Sequence, residues 1–143
     1  MTAQEILTQR YGKPTASNFE SKWMVVWKIR EEFAWFPKAK IYIHKDFMAK
    51  LRVAFTALQQ NNLHKEIKTC EGAFNIRLVR GSSSVYSIHS WGCAIDMNAA
   101  DNPLASTGKW STRFIQTMET CGIFCGQNWI GRKDPMHFAL VNG

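Results

Sequence analysis

The chain has 143 residues, enough for one domain that buries roughly 68–70% of the surface its unfolded form exposes, so neither a metal ion nor a disulfide is needed merely to fold it. It is rich in aromatic residues, and its longest apolar stretch of consequence, Met24 to Trp27, falls far short of the ~20 residues that span a bilayer, so no membrane insertion is expected. A formal charge of +7 at pH 7 points to an anionic partner, for which nucleic acid and an anionic cell envelope both qualify.

The first residues, Met1 to Gly12, lack the basic, apolar and small-residue regions of a signal peptide, which predicts synthesis in the cytoplasm and export only with help. Within them Thr2-Ala-Gln-Glu5 is a capping box, and Ile6 and Leu7 form an apolar stripe. Gly12 and Pro14 make a stop, so a short helix is predicted over 3–11. A second box, Ser17 with Glu20, predicts a helix carrying Trp23, Val26, Trp27 and Phe33, although Val25 and Val26 leave part of it open to a strand. Lys40 to Ile43 reads as a short strand. Lys45-Asp46 opens a helix in which Phe47, Leu51, Phe55 and Leu58 recur at helical spacing until Asn61-Asn62.

Ala73 to Val79 alternates as a strand, and Gly81-Ser-Ser-Ser84 is a loop. Gly92 to Met97 is the next strand. Period-two alternation turns Cys93, Ile95 and Met97 to the core and Ala94, Asp96 and Asn98 to the other face. Ser111 or Thr112 caps a helix with Phe114, Ile115, Met118 and Cys121 on its buried stripe and Gly122 as its stop. In the last strand, Met136, Phe138 and Leu140 point to the core, and His137 and Ala139 point away from it. No linker, repeat or low-complexity tract divides the chain, so a single domain over 1–143 is expected.

Four cysteines, Cys70, Cys93, Cys121 and Cys125, are expected to be reduced and structural in the absence of a secretory leader. His44 and His64 fit surface or capping roles. Trp91 and Trp129 suit either core packing or a peptide groove.

The chemistry concentrates in Ser87-Ile-His89-Ser-Trp-Gly92-Cys-Ala94-Ile-Asp96 and Asp134-Pro-Met-His137. A catalytic zinc ion takes three ligands from His, Asp, Glu or Cys and leaves a fourth position open. His89, Asp96 and His137 supply that count for one Zn2+. Asp134, three residues before His137, is left as the general base that takes a proton from the attacking water and hands it to the leaving amine. Arg77 and Arg80 are candidates for holding a substrate carboxylate or an oxyanion. Ser87 is a candidate for the substrate side of the site or for bonding the loop that carries His89.

Ser87-x-His89-x-x-Gly92-x-Ala94-x-Asp96 with Asp134-x-x-His137 resembles the signature of the zinc D-alanyl-D-alanine carboxypeptidase family, which also contains L-alanyl-D-glutamate peptidases used as phage endolysins. A longer similarity to small phage and prophage members runs from Ile67 to Asn98 through Glu71-Gly-Ala-Phe-Asn and Arg77-x-x-Arg80-Gly81-Ser82. The resemblance implies an α+β fold of the hedgehog type, with a small central antiparallel sheet carrying the zinc site and flanked by helices. It also implies zinc on His89, Asp96 and His137, Asp134 as base, Arg77 or Arg80 near the substrate, and cleavage of peptidoglycan stem peptides. The chain departs from many relatives in having His137-Phe138-Ala139 for His-Phe-Glu, and Cys125-Gly126-Gln127 for Trp-Gly-Gly before Trp129.

The leading expectation is a monomeric zinc endopeptidase of the bacterial cell wall, a phage or prophage endolysin made in the host cytoplasm and released through a hole made by another protein, or carried in the virion. D-alanyl-D-alanine carboxypeptidase activity and a non-catalytic zinc-containing wall-binding module are the alternatives. Nucleic-acid binding is favoured by charge alone and is not expected.

Overall fold

Residues 1–143 are described by a computed structural model. Its first helix, α1 (Ala3–Tyr11), begins at the expected capping box: Glu5 N–H donates to Thr2 Oγ1 and Thr2 N–H donates to Glu5 Oε2, both at 3.1 Å. The second expected helix is cut short. Helix α2 (Phe19–Trp23) lasts five residues and gives way to strand β1 (Met24–Trp27), which pairs antiparallel with β2 (Ile41–His44). The Ser17 box does not form, since Asn18 is the N-cap and makes no side-chain cap. Val25 and Val26, stiff at χ1, face Ile43 and Tyr42 across the ladder, and this pairing outweighs the helical spacing of the tryptophans.

Helix α3 (Lys45–Gln60) follows the sequence pattern closely, with Phe47, Leu51, Ala54, Phe55 and Leu58 fully buried. Each large apolar side chain removed from water in this way stabilises the fold by about 1.5–3 kcal/mol. His44 is the N-cap: its Nδ1 accepts from Asp46 N–H at 3.0 Å. Capping is therefore right for His44 and a surface position is not, because the ring is fully buried between Tyr11 and Trp23, with centroids 4.1 and 5.3 Å away. His64 opens a short 3-10 turn and lies half-buried against Trp35.

A second antiparallel sheet has the order β3 (Cys70–Gly72), β4 (Ala94–Met97), β6 (Asp134–Ala139), β5 (Phe124–Gly126), with α4 (Thr112–Thr120) entering from the Ser111 N-cap. Gly122, at φ +82°, ends α4 where a left-handed residue is needed, and Ile123 N–H reaches back to Met118 O. The expected strand over Ala73–Val79 is absent apart from a single bridge between Leu78 and Tyr86. Its donors go elsewhere: Asn75 N–H to His89 O and Arg77 N–H to Ser90 Oγ, so the segment braces the turn that carries His89 instead of extending the sheet. Met136 is also not a core residue. It is half-buried and lines a cavity, because β6 is irregular there.

Helices and both sheets share one apolar core, with Phe47, Phe55, Ile95, Phe114 and Phe138 all completely buried. The architecture is α+β, as expected. No helix is long and apolar enough to cross a membrane. All four cysteines are free thiols, and burial pushes Cys70 up to about 11 and Cys125 up to about 12, so both stay protonated and inert at neutral pH.

Candidate metal centre

Three different elements bring His89, Asp96 and His137 together. On β4, Ile95 and Met97 point into the core, and alternation sends Asp96 to the other face. The β4–β6 register places His137 directly opposite Asp96. His89 comes from a 3-10 turn, Ile88–Trp91, which Ser87 caps by accepting His89 N–H at its Oγ. The turn ends at Gly92, with φ +66°, where a Cβ would lie 2.6 Å from the Met24 side chain and 2.9 Å from His44 N. Only glycine satisfies both the left-handed backbone and that close approach.

One ligand atom from each of the three residues can be chosen so that all lie within 4.8 Å of one another. Donors about 2 Å from a tetrahedral ion are about 3.3 Å apart, so modest contraction around an ion suffices. His89 Nε2 is 3.3 Å from Asp96 Oδ2, and His137 Nδ1 is 3.8 Å from Asp96 Oδ1. The remaining ring nitrogens are committed: His89 Nδ1–H donates to Ala73 O at 2.7 Å and His137 Nε2–H to Gly143 O at 3.0 Å. Those two carbonyls select the tautomers that leave both lone pairs facing the carboxylate. His89 Nε2 and Asp96 Oδ1 are buried without any hydrogen-bond partner. With both imidazoles neutral, acceptors converge on one point with no donor among them, a costly arrangement unless a cation sits between them, and outer-shell carbonyls of this kind are what hold metal-ligating imidazoles in place. The donor set fits a divalent metal.

The electrostatics favour the ligand-competent forms. Burial, together with the neighbouring His89, brings His137 down to about 4, so its imidazole is neutral at neutral pH. Burial alone would raise Asp96, but a hydrogen bond and positive charge from His89 when its ring is protonated, then His137 and Arg77, outweigh it and keep the carboxyl below its usual range, the direction in which a cation between these groups would also act. Asp134 moves the other way, raised by burial and by the nearby Asp96 charge.

Asp134 lines the same cavity, of about 150 Å³, as the three ligand candidates. In a regular strand, residues three apart face opposite ways, so Asp134 and His137 share a side only because β6 bulges. Cys125 pairs with Phe138 and the next residue, Gly126, with Asp134, so β6 spends four residues where β5 spends one. Pro135, which has no N–H for the ladder, sits in the bulge, and its carbonyl accepts from Trp110 Nε1 at 2.8 Å. A Cβ at Gly126 would collide with the Asp134 carbonyl.

Arg77, Arg80 and Ser87 also line the cavity. Ser87 is tied to the backbone of His89 and so helps to place that residue. Trp91 is buried in the core with its indole N–H on Gly12 O, whereas Trp129 lines the cavity beside His137, with ring centroids 5.4 Å apart. Cavity residues not anticipated from the sequence include Gln4, Leu104, Arg132 and Met136, together with Gly143, whose carbonyl orients His137. Arg132 adjoins the Asp134 motif, which was the one available signal for it.

Residues 80–140 match the family model described as D-alanyl-D-alanine carboxypeptidase. The matched span is rather less than half of the chain and contains Arg80, Ser87, His89, Asp96, Asp134 and His137, while Arg77 lies outside it. No curated protein matches the chain. Together with the His–Asp–His cluster, the family match supports a metal-dependent peptidase of the kind that acts on the cell wall.

Proposed function

We propose that the chain is a zinc peptidase that hydrolyses an amide bond in peptidoglycan stem peptides, with the L-alanyl-D-glutamate bond as its first candidate and the endolysin of a phage or prophage as its biological setting. The observation that carries this reading is the convergence of His89 Nε2, His137 Nδ1 and the Asp96 carboxylate, with His89 Nε2 and Asp96 Oδ1 buried and without a hydrogen-bond partner. Zinc held there would polarise the scissile carbonyl and make water acidic enough to ionise near neutral pH. His89, Asp96 and His137 are its ligands in this reading, with the His89 ring oriented by Ala73 O and the His137 ring by Gly143 O.

Asp134 is the general base. It lines the same cavity as the three ligand candidates, within reach of a water held there, and burial in that cavity raises its affinity for a proton. It takes a proton from the attacking water as the new C–O bond forms, and delivers it to the amide nitrogen as the C–N bond breaks, leaving a carboxylate and a free amine. Arg77 and Arg80 supply positive charge for the carbonyl oxygen or a substrate carboxylate, and Trp129 forms an apolar wall. The positive charge of the whole chain suits approach to an anionic envelope, and the chain acts as a monomer released to the wall with the help of another protein.

The family description favours a second reading, D-alanyl-D-alanine carboxypeptidase, on the same residues. Incubation of zinc-loaded protein with peptidoglycan, followed by mass spectrometry of the released ends, separates the two. New L-alanine carboxyl ends and D-glutamate amino ends identify the endopeptidase, and free D-alanine the carboxypeptidase. No cleavage by the metal-loaded protein refutes both.

A further inference from the structure

The cavity over the metal centre carries three arginines, Arg77, Arg80 and Arg132, and none of them pairs with a carboxylate. Arg52, by contrast, is held in a fork by Glu32 on another part of the surface. Arg77 belongs to the segment that braces the His89 turn and lines the cavity next to His89 and Asp96, on the β3 side of the sheet. Arg132 lies on the connection between β5 and β6, at the edge of the sheet away from β3, two residues before Asp134, and lines the same cavity.

That connection is not a loose loop. Lys133 Nζ donates to Gln127 O at 3.2 Å and to Trp129 O at 2.9 Å, Lys133 O accepts from Ala105 N–H at 2.7 Å, and Trp129 Nε1 donates to Asn142 Oδ1 at 3.0 Å. Lys133 is consumed in clasping its own segment, and Arg132 is left lining the cavity with its donors uncommitted.

In the mechanism above Asp134 returns its proton to the leaving nitrogen, so the leaving residue lies on the Asp134 side, which is also the Arg132 side. Resting on that reading, we propose that Arg132 determines specificity by binding a free carboxylate on the α-carbon of the leaving residue. The substrate is therefore a peptide whose leaving residue carries a free α-carboxylate, and the corresponding carboxamide is a poor substrate. A D-glutamate linked onward through its side-chain carboxyl meets this requirement, because its α-carboxylate is free and one carbon away from the nitrogen released.

The test uses two synthetic stem peptides that differ only in carrying a D-glutamate α-carboxylate or its carboxamide, with wild-type protein, Arg132→Gln and Arg132→Lys, all zinc-loaded. For wild type, amidation should lower kcat/KM roughly tenfold to a hundredfold, mostly through KM, as expected for losing a charge-assisted hydrogen bond. R132Q should be slow on the carboxylate peptide and indifferent to amidation, R132K should recover part of the discrimination, and all three proteins should bind one zinc with the same thermal midpoint. Equal cleavage of both peptides by wild type, or an unchanged amidation penalty in R132Q, overturns the role of Arg132 and leaves the peptidase reading intact. Failure of wild type to cleave either peptide or peptidoglycan overturns both.

Discussion

In the proposed mechanism Asp134 and the three ligand candidates have separable roles that point mutants can resolve. Asp134→Asn keeps the shape of the cavity and removes the base, so hydrolysis should fall by roughly 10²–10⁴-fold while zinc affinity, measured by competition with a chromogenic chelator, stays within a few fold. Undiminished turnover would remove Asp134 from the mechanism. His137→Ala should instead abolish tight zinc binding, because it deletes one ligand and leaves Gly143 O without its donor. At Gly92 the penalty is structural: a methyl group there meets Met24 and the His44 backbone at a left-handed residue, so Gly92→Ala should cost about 1–3 kcal/mol in denaturant unfolding. The ligand candidates could be read from the sequence because His89 and Asp96 share one short motif and His137 carries Asp134 beside it. Arg132 and the Gly143 carbonyl could not, since loop residues and backbone acceptors follow no period and acquire meaning only when the chain closes over the site.

Among the elements, the junction of β2 and α3 offers a pH-dependent signature independent of the metal. Burial lowers His44 to about 4 in the folded chain, against an ordinary value of 6.5. Between these values the unfolded chain binds a proton that the native chain does not, so stability rises with pH through this window and is lost as pH falls from 6.5 towards 4. The loss from this one group is on the order of 3 kcal/mol. His44→Asn keeps an N-cap acceptor for α3 but cannot titrate, and urea unfolding across pH 4–7 should show a shallower acid loss than in the wild type. An unaltered slope would show that His44 does not govern this loss. Helix α3 was legible from end to end because its apolar positions recur over sixteen residues. The segments 24–27 and 73–79 were not. In the first, cross-strand pairing of Val25 and Val26 overrode helical spacing, and in the second the alternation was real but the backbone donors were taken by the His89 turn.

For the whole molecule, the α+β class and a sheet bearing the site followed from the family resemblance of the two motifs, whereas the strand order β3-β4-β6-β5 and the bulge at Pro135 depend on contacts between distant segments. The bulge matters most to the proposed mechanism, because without it strict alternation would turn Asp134 away from His137. The apolar core beneath is built from both sheets and from α3 and α4, so the metal centre rests on a stiff base and not on a flexible loop. Catalysis should consequently follow metal occupancy without any large change of fold. The most direct measurement is a zinc titration of metal-stripped protein, following release of new amino groups from peptidoglycan together with far-ultraviolet circular dichroism. Hydrolysis should be absent without metal and rise linearly to a plateau at one equivalent of zinc, with an unchanged dichroism spectrum and no recovery in His137→Ala. Cleavage that persists in the stripped protein, or a plateau reached with no cleavage at one bound equivalent, would contradict a catalytic zinc at His89, Asp96 and His137.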